Sequence, residues 1–319
     1  MPPRVAIACQ GGGSHAAFTA GVLASLLASA HRDRFELTAL SGTSGGAVCA
    51  ALAWSGLLAG GPEEAIRRIE GFWHDLAPAN AVEAWANDWF QLLLALPFAA
   101  RTSPYAYAPA AEPRLRQLLE KWIRPAELPA RRAPPVLRLG AAEVLKGGGA
   151  AFDEERFTLD DVIASAAVPP LFRAVPNRGG LWWDGLYAHN PPIRHLLDLP
   201  DKPAEIWVVR INPATRAEEP RTAEEIEDRR NEMAGNLPLD HELEKVRLVN
   251  RAVAAAPECN ARFGWRPVTV RQVALALPGI GYRTKLDRSA AHIARLMAAG
   301  REAAPGFFDE ASVIVRPEG

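Results

Sequence analysis

The segment Gly42-Thr43-Ser44-Gly45-Gly46 constrains this chain more than any other stretch of its sequence. It follows a predicted strand at 35–40 and precedes an apolar run of small residues at 47–54, which is typical of a helix. In this context, a G-x-S-x-G sequence places its serine at the apex of a sharp, strained turn. The outer glycines, Gly42 and Gly46, let the backbone turn and keep side chains away from an approaching carbonyl group. The segment therefore predicts a nucleophilic serine.

A second glycine-rich turn lies between a predicted buried strand at 4–9 and a predicted helix at 16–30. Main-chain N–H groups that converge at a helix N-terminus favour a bound phosphate or a developing oxyanion. We therefore expect this turn to supply backbone donors to the site. The turn runs from Gln10 to His15, and its candidate donors are Gly11, Gly12, Gly13 and Ser14.

The same turn also matches a dinucleotide-binding fingerprint, Gly11-x-Gly13-x-x-Ala16. That alternative needs an acidic residue at the far end of the second strand, where it would hold the ribose hydroxyls. Here the second strand begins with Glu36 and ends where the serine turn begins, so the carboxylate lies at the wrong end. The oxyanion interpretation is favoured, and the dinucleotide alternative stays open.

Strands and helices alternate up to about residue 211, which predicts a layered α/β sheet. The composition then changes, and a charged helix is predicted at 221–256, with an apolar stripe along it. Because no long polar linker intervenes, we expect a core at 1–213 and an extension at 214–319 that packs on the same domain. The stripe consists of Ile226, Met233, Leu237, Leu243, Val246 and Val249. Further elements are predicted as strands at 135–144, 205–211, 268–277 and 312–316 and helices at 62–72, 114–123, 157–167 and 289–302.

Composition narrows the function classes. A net charge of −1 argues against nucleic acid as a partner, because phosphate binding needs clustered positive charge. No apolar run is long enough to span a bilayer, and the N-terminus has no signal-peptide pattern. The three cysteines have neither metal nor disulfide spacing. We expect a cytoplasmic protein that needs no cofactor or metal and can meet a membrane at its periphery.

An aromatic, weakly charged region at 73–100 allows three interpretations. It could form a core helix, a cover over the site, or a surface at a lipid boundary, where tryptophan is favoured.

A serine nucleophile needs a base that takes its proton. The apolar run at 181–186 carries Asp184 at a glycine turn, Asp184-Gly185, and this aspartate is the strongest candidate. The alternative is a turn residue that bonds its own backbone. His189 could instead act as the base, and His15 could contact a phosphate group or remain structural.

Four ordered segments resemble the patatin-like phospholipase family over roughly residues 4–212. The resemblance implies a three-layer α/β/α fold with a mostly parallel sheet, a Ser44–Asp184 dyad without histidine, and an oxyanion hole in the glycine turn. It also implies hydrolysis of fatty-acyl esters of phospholipids or related lipids. Two positions depart from the usual family pattern. Ala16 stands where the family often has glycine, and Leu186 stands where it usually has glycine or alanine. The segments are Gly11-Gly12-Gly13-Ser14-His15, Gly42-Thr43-Ser44-Gly45-Gly46, Ala164-Ser165-Ala166-Ala167-Val168-Pro169, and Trp183-Asp184-Gly185 with Asn190-Pro191-Pro192.

Two other functions remain open at this point. The same dyad could serve a small-ester or thioester hydrolase or an acyltransferase, and the fold could belong to a non-catalytic lipid-binding protein. The expected partner is a lipid or ester substrate, and the oligomeric state is not predicted.

Overall fold

A computed structural model describes residues 2–78, 103–106, 111–129, 134–169, 171–258, 260 and 264–317. Most of the predicted aromatic region lies outside these residues, so its role as core, cover or interface stays a prediction. At its described end, Trp73 is buried on an amphipathic helix.

The described strands form one sheet with a parallel centre. The strands are β1 (Arg4–Cys9), β2 (Glu36–Gly42), β3 (Val136–Glu143), β4 (Gly149–Asp153), β5 (Val175–Asn177), β6 (Gly180–Asp184), β7 (Glu205–Arg210), β8 (Thr269–Ala274) and β9 (Val313–Val315). Their order is β5-β6-β3-β2-β1-β7-β8-β9, and β4 pairs with β3. The run β3-β2-β1-β7-β8 is parallel, and the remaining pairs are antiparallel.

Glycine and proline residues mark the boundary between two of the helices. The preceding helix continues to Gly60, and Gly61, with a φ of 84°, separates it from the helix that begins at Pro62. The α-helices are α1 (Ala16–Leu27), α2 (Gly45–Gly60), α3 (Pro62–Leu76), α4 (Ala111–Ile123), α5 (Leu159–Ser165), α6 (Arg194–Leu197), α7 (Ala223–Ala255) and α8 (Ala290–Ala303).

Two separate cores cover the two faces of the sheet. On one face, Ile7 and Leu40 pack with α1, α2, α3 and α8. On the other face, Ala6 and Val208 pack with α6 and α7. Alternate residues of a strand point to opposite faces, so this pattern is a three-layer arrangement. The predicted α/β fold with a mostly parallel sheet is confirmed.

The described residues after 213 share the sheet and its cores. Strand β8 pairs with β7, and β9 pairs with β8. Helix α8 lies so close to α1 that a Cβ on Gly300 would stand 2.0 Å from the Phe18 carbonyl oxygen. The boundary at 213/214 itself stays a proposal.

The predicted apolar stripe of α7 is wrong in its first half. Ile226, Met233 and Leu237 are 45–48% exposed, whereas Leu243 and Val246 are buried. The buried face in that half of the helix contains polar residues instead, which the active-site geometry explains. Its buried residues are Glu232, Gly235, Asn236, Leu239, Glu242, Leu243, Val246, Asn250 and Val253.

Candidate active site

Ser44 occupies a strained turn between β2 and α2. Its φ of 56° and ψ of −130° are unusual for a residue with a side chain. A Cβ on Gly42 would stand 2.4 Å from the Gly46 carbonyl oxygen, so the turn tolerates only glycine there. The turn thus presents the serine at the carboxyl end of a central strand, where ligand sites of parallel sheets form.

Neighbouring elements hold the turn in place. The Ser44 N–H donates to both the carbonyl and the hydroxyl oxygen of Ser165, at 3.0 and 3.2 Å. The Ser165 hydroxyl donates onward to the Gly140 carbonyl at 2.6 Å. The Thr43 hydroxyl donates to the His189 carbonyl at 2.5 Å. These bonds over-determine the strained conformation, which is the condition for such strain to persist.

Asp184 lies at the end of β6 with no exposed surface. Its N–H donates to the Ala167 carbonyl at 3.0 Å, and its Oδ1 accepts the Leu186 N–H at 2.8 Å. Among the described residues, Oδ2 has no partner in hydrogen-bonding geometry. The Ser44 hydroxyl nevertheless lies near enough to influence the carboxyl, so serine and aspartate share one site.

Burial raises the pKa of Asp184 to about 7, against the opposing effects of Ser44, the Leu186 N–H and the positive charge of Lys285. An ordinary aspartate, with a pKa of about 3.9, is a poor base for a hydroxyl. A carboxyl with a pKa near neutrality is ionised above pH 7 and is basic enough to take a proton. The environment of Asp184 therefore suits general-base chemistry.

The glycine turn lies directly against the serine turn. A Cβ on Gly11 would stand 2.8 Å from Cβ of Ser44, and a Cβ on Gly45 would stand 2.6 Å from the Gly13 carbonyl oxygen. The Gly11 N–H donates to Asn190 Oδ1 at 2.7 Å and is therefore occupied. The N–H groups of Gly12 and Gly13 have no acceptor among the described residues.

Three buried side-chain amides hold the glycine turn, a role that the sequence did not predict for them. Gln10 accepts the N–H groups of Ile211 and Asn212 through Oε1 and donates through Nε2 to the Gly235 carbonyl at 3.0 Å. Asn190 donates to the same carbonyl at 2.9 Å. Asn212 donates to the Gly11 carbonyl at 3.2 Å.

The position of these amides explains the polar face of α7. Gly235 has no side chain, so α7 approaches the floor of the site closely enough to offer its carbonyl to two amides. The sequence did carry a signal for two of them. Gln10 directly follows β1 and Asn212 is the second residue after β7, at the strand ends where parallel sheets bind ligands.

The histidines are engaged elsewhere. The His189 ring contacts Glu242 through Nδ1 at 3.1 Å, and a Cβ on Gly149 would stand 2.9 Å from its Nε2. His15 is fully buried, and its Nε2 lies 2.8 Å from the Thr284 hydroxyl. Burial, aided by the charges of Lys285 and His292, holds the pKa of His15 well below its usual range. His15 is therefore neutral at pH 7.

No group of three or more His, Cys, Asp or Glu side chains in the described ranges is placed to hold a metal ion. Within the same ranges, no helix has the length and apolar character needed to cross a membrane. The predicted metal independence and cytoplasmic location remain predictions.

A serine turn, a buried aspartate and a glycine turn at the carboxyl edge of a parallel sheet are features of the ester hydrolase class. The family model of patatin-like phospholipases matches residues 7–197, more than half of the chain. The chain therefore belongs to the patatin-like phospholipase family. This membership supports a lipid ester hydrolase and leaves the dinucleotide alternative without support. No curated protein matches the sequence.

Solved structures give distant similarities. VipD from Legionella pneumophila is 13% identical with a TM-score of 0.37, over 94% of this chain and 67% of VipD. The type III effector protein ExoU is 14% identical with a TM-score of 0.36, over 96% of this chain and 52% of ExoU. Full-length ExoU in complex with SpcU, from the type III secretion system of Pseudomonas aeruginosa, is 14% identical with a TM-score of 0.29, over 82% of this chain and 60% of that one.

Proposed function

We propose that the chain hydrolyses fatty-acyl esters of phospholipids, lysophospholipids or related lipids through a Ser44–Asp184 dyad. The observation that carries the proposal is the buried Asp184, whose Oδ2 has no hydrogen-bond partner among the described residues and which lies beside a serine in a strained turn. Family membership supports the lipid ester as substrate class. Turn residues Gly42, Gly46 and Gly185 shape this site without taking part in bond changes.

In the first step, Ser44 Oγ attacks the ester carbonyl carbon while its proton passes to Asp184. The carbonyl oxygen becomes an oxyanion that accepts hydrogen bonds from the N–H groups of Gly12 and Gly13. Ser14, the next residue in the turn, is the third candidate donor. Loss of one such donor costs about 2.7–4 kcal/mol of transition-state stabilisation in a serine hydrolase. The C–O bond of the ester then breaks, and the leaving alcohol takes the proton from Asp184.

In the second step, water attacks the acyl carbon and gives a proton to Asp184. The same donors stabilise the second oxyanion. When the acyl-enzyme bond breaks, the proton returns to Ser44 Oγ and the fatty acid leaves. The dyad is thereby restored for the next turnover.

The test is fatty-acid release from a panel of phospholipids, lysophospholipids and short-chain esters with EDTA present. Ser44→Ala and Asp184→Asn should each abolish release, and His189→Ala should stay near wild type because its ring bonds Glu242. Full activity of Ser44→Ala would overturn the nucleophile, and a folded but inactive His189→Ala would make histidine the base. Turnover confined to short esters would select the small-ester alternative, and an inert wild type would favour lipid binding.

A further inference from the structure

Lys285 is a buried cation that the proposed reaction steps do not use. It is 9% exposed in the turn Arg283–Lys285, and its Nζ donates to Asn212 Oδ1 at 2.6 Å and to Asn231 Oδ1. No carboxylate of the described residues lies within 4.0 Å of this nitrogen. A buried ammonium group that only amide oxygens solvate is costly, so its retention needs a reason.

Two of the carboxylates whose charges act on Lys285 are already bound to other groups. Glu232 pairs with Arg216 at 2.8 Å, and Asp228 accepts the Tyr282 N–H at 2.7 Å. Lys285 therefore keeps much of its positive charge uncompensated by a direct partner. Its charge acts on Asp184, although the two groups do not touch.

Lys285 is connected to the glycine turn directly through its backbone and, through Asn212, by its ammonium group. A Cβ on Gly13 would stand 2.3 Å from the Lys285 carbonyl oxygen, so the backbone of this lysine closes directly on the turn. At the other end, the ammonium group fixes Asn212, which donates to the Gly11 carbonyl at 3.2 Å. The lysine thus holds the glycine turn in place through two separate contacts.

We propose that Lys285 is a positioning residue of the hydrolysis, which holds the glycine turn in register for the oxyanion and stabilises negative charge there. The inference rests on the proposed function and adds to it a residue from outside the matched family region. Lysine is suited to this task because its ammonium group is a compact point charge.

A titration follows from the surroundings of Lys285. The titratable groups whose charges couple to Lys285 are Glu232 and Asp228 from α7, Asp184 from β6, and His15, whose ring centroid lies 6.0 Å from that of His292. Burial lowers the pKa of Lys285 to about 8, against the raising effect of the three carboxylates. The positive charge is present below that pH and is lost above it. Activity should therefore fall above about pH 8, and this fall is the alkaline limb of the pH profile.

The experiment measures kcat and KM on a soluble short-chain ester from pH 5.5 to 10. The variants are Lys285→Met, Lys285→Arg and Asn231→Asp, with Lys202→Met as the matched control. Lys202 Nζ likewise donates to two oxygens, in this case the main-chain carbonyls of Leu197 and Leu199, but makes no described contact with the site. Active enzyme is counted by fluorophosphonate titration, so that loss of folded protein is separated from loss of rate.

Lys285→Met should lower kcat per active site by roughly tenfold to a hundredfold. The upper value is about the rate loss caused by removing one oxyanion donor. It should leave KM nearly unchanged, remove the alkaline limb and move the acid limb to higher pH. Lys285→Arg should keep more activity without the alkaline limb, and Asn231→Asp should shift that limb upward. Lys202→Met should keep the wild-type profile.

Wild-type kcat and both limbs in Lys285→Met would overturn the inference, and so would an unchanged alkaline limb in a folded Lys285→Arg. If Lys285→Met loses only active-site concentration, with kcat per site intact, the lysine is structural and the inference also fails. The proposed function fails separately, when the wild type releases no acid or Ser44→Ala remains active.

Discussion

At the scale of single residues, Asp184 is held in a state that costs stability. Its carboxyl is fully buried, and Oδ2 has no partner among the residues that the structure describes. An unpaired buried charge is normally avoided or neutralised. Its persistence beside Ser44 fits a site in which stability is sacrificed for reactivity.

The acid limb of activity should report Asp184. With a pKa of about 7, the carboxyl is protonated and inactive as a base below that value and ionised above it. We expect kcat/KM for a soluble ester to rise through pH 7 in the wild type and in His189→Ala alike. Activity that is flat between pH 5 and 8 would show that another group titrates.

Asp184→Asn should stabilise the fold in a pH-dependent manner. The folded pKa lies above the unfolded value of about 3.9, so the wild-type fold loses stability as pH rises from about 4 to 7. The neutral amide escapes this loss, and we expect a higher Tm for the variant at pH 8 and a smaller difference at pH 5. Ser44→Ala is the control without a titrating change. A lower Tm for Asp184→Asn at both pH values would contradict the buried charge.

At the scale of elements, the glycine turn and the serine turn form one packed unit. Gly13 combines a φ of 59° with the close approach of Lys285, whereas Gly147 has a φ of 74° and open space around it. Substitutions at these two glycines therefore distinguish the effect of backbone strain from the effect of close packing.

Gly13→Ala should lower kcat by about a hundredfold or more, because the turn must shift and its donors leave the oxyanion position. Gly147→Ala carries only the left-handed strain of about 1–2 kcal/mol and should keep wild-type kcat. Ester kinetics and thermal unfolding of both variants make the comparison. Equal kinetics for the two variants would mean that the turn does not place catalytic donors.

The two turns were predictable because their signals are local. Glycines around a serine, or four small residues after a strand, specify a backbone conformation within a few residues. The role of the Gln10, Asn190 and Asn212 amides was not predicted, since it depends on contacts with residue 235 far along the chain. The exposed half of the α7 stripe was mispredicted for the same reason: the buried face of that helix is polar where it meets these amides.

At the scale of the whole molecule, the C-terminal third completes the site rather than standing apart from it. Helix α7 gives the Gly235 carbonyl to Gln10 and Asn190, and the turn at Lys285 closes on the glycine turn. Strand β8 extends the parallel sheet beside β7. A layered α/β sheet followed from alternating strands and helices, and the three layers followed from the family resemblance. The strand order and these contacts did not follow from either.

Gly235→Ala should lower activity although alanine favours helices by about 1 kcal/mol. A Cβ there would stand 2.7 Å from Asn212 Nδ2 and would push α7 off the floor of the site. Met233→Ala, on the exposed face of the same helix, should leave kcat unchanged. Far-ultraviolet circular dichroism and ester kinetics of both variants check this. Full activity of Gly235→Ala would show that the C-terminal extension does not position the catalytic groups.

The central claim is that Asp184 activates Ser44, and covalent labelling tests it most directly. The full chain is treated with a fluorophosphonate at pH 8, and adduct formation is followed by intact mass and peptide mapping. We expect one adduct per chain, on the peptide that contains Ser44, no adduct in Ser44→Ala, and labelling slowed by about a hundredfold or more in Asp184→Asn. Labelling of another residue, or an unchanged rate in Asp184→Asn, would contradict the dyad.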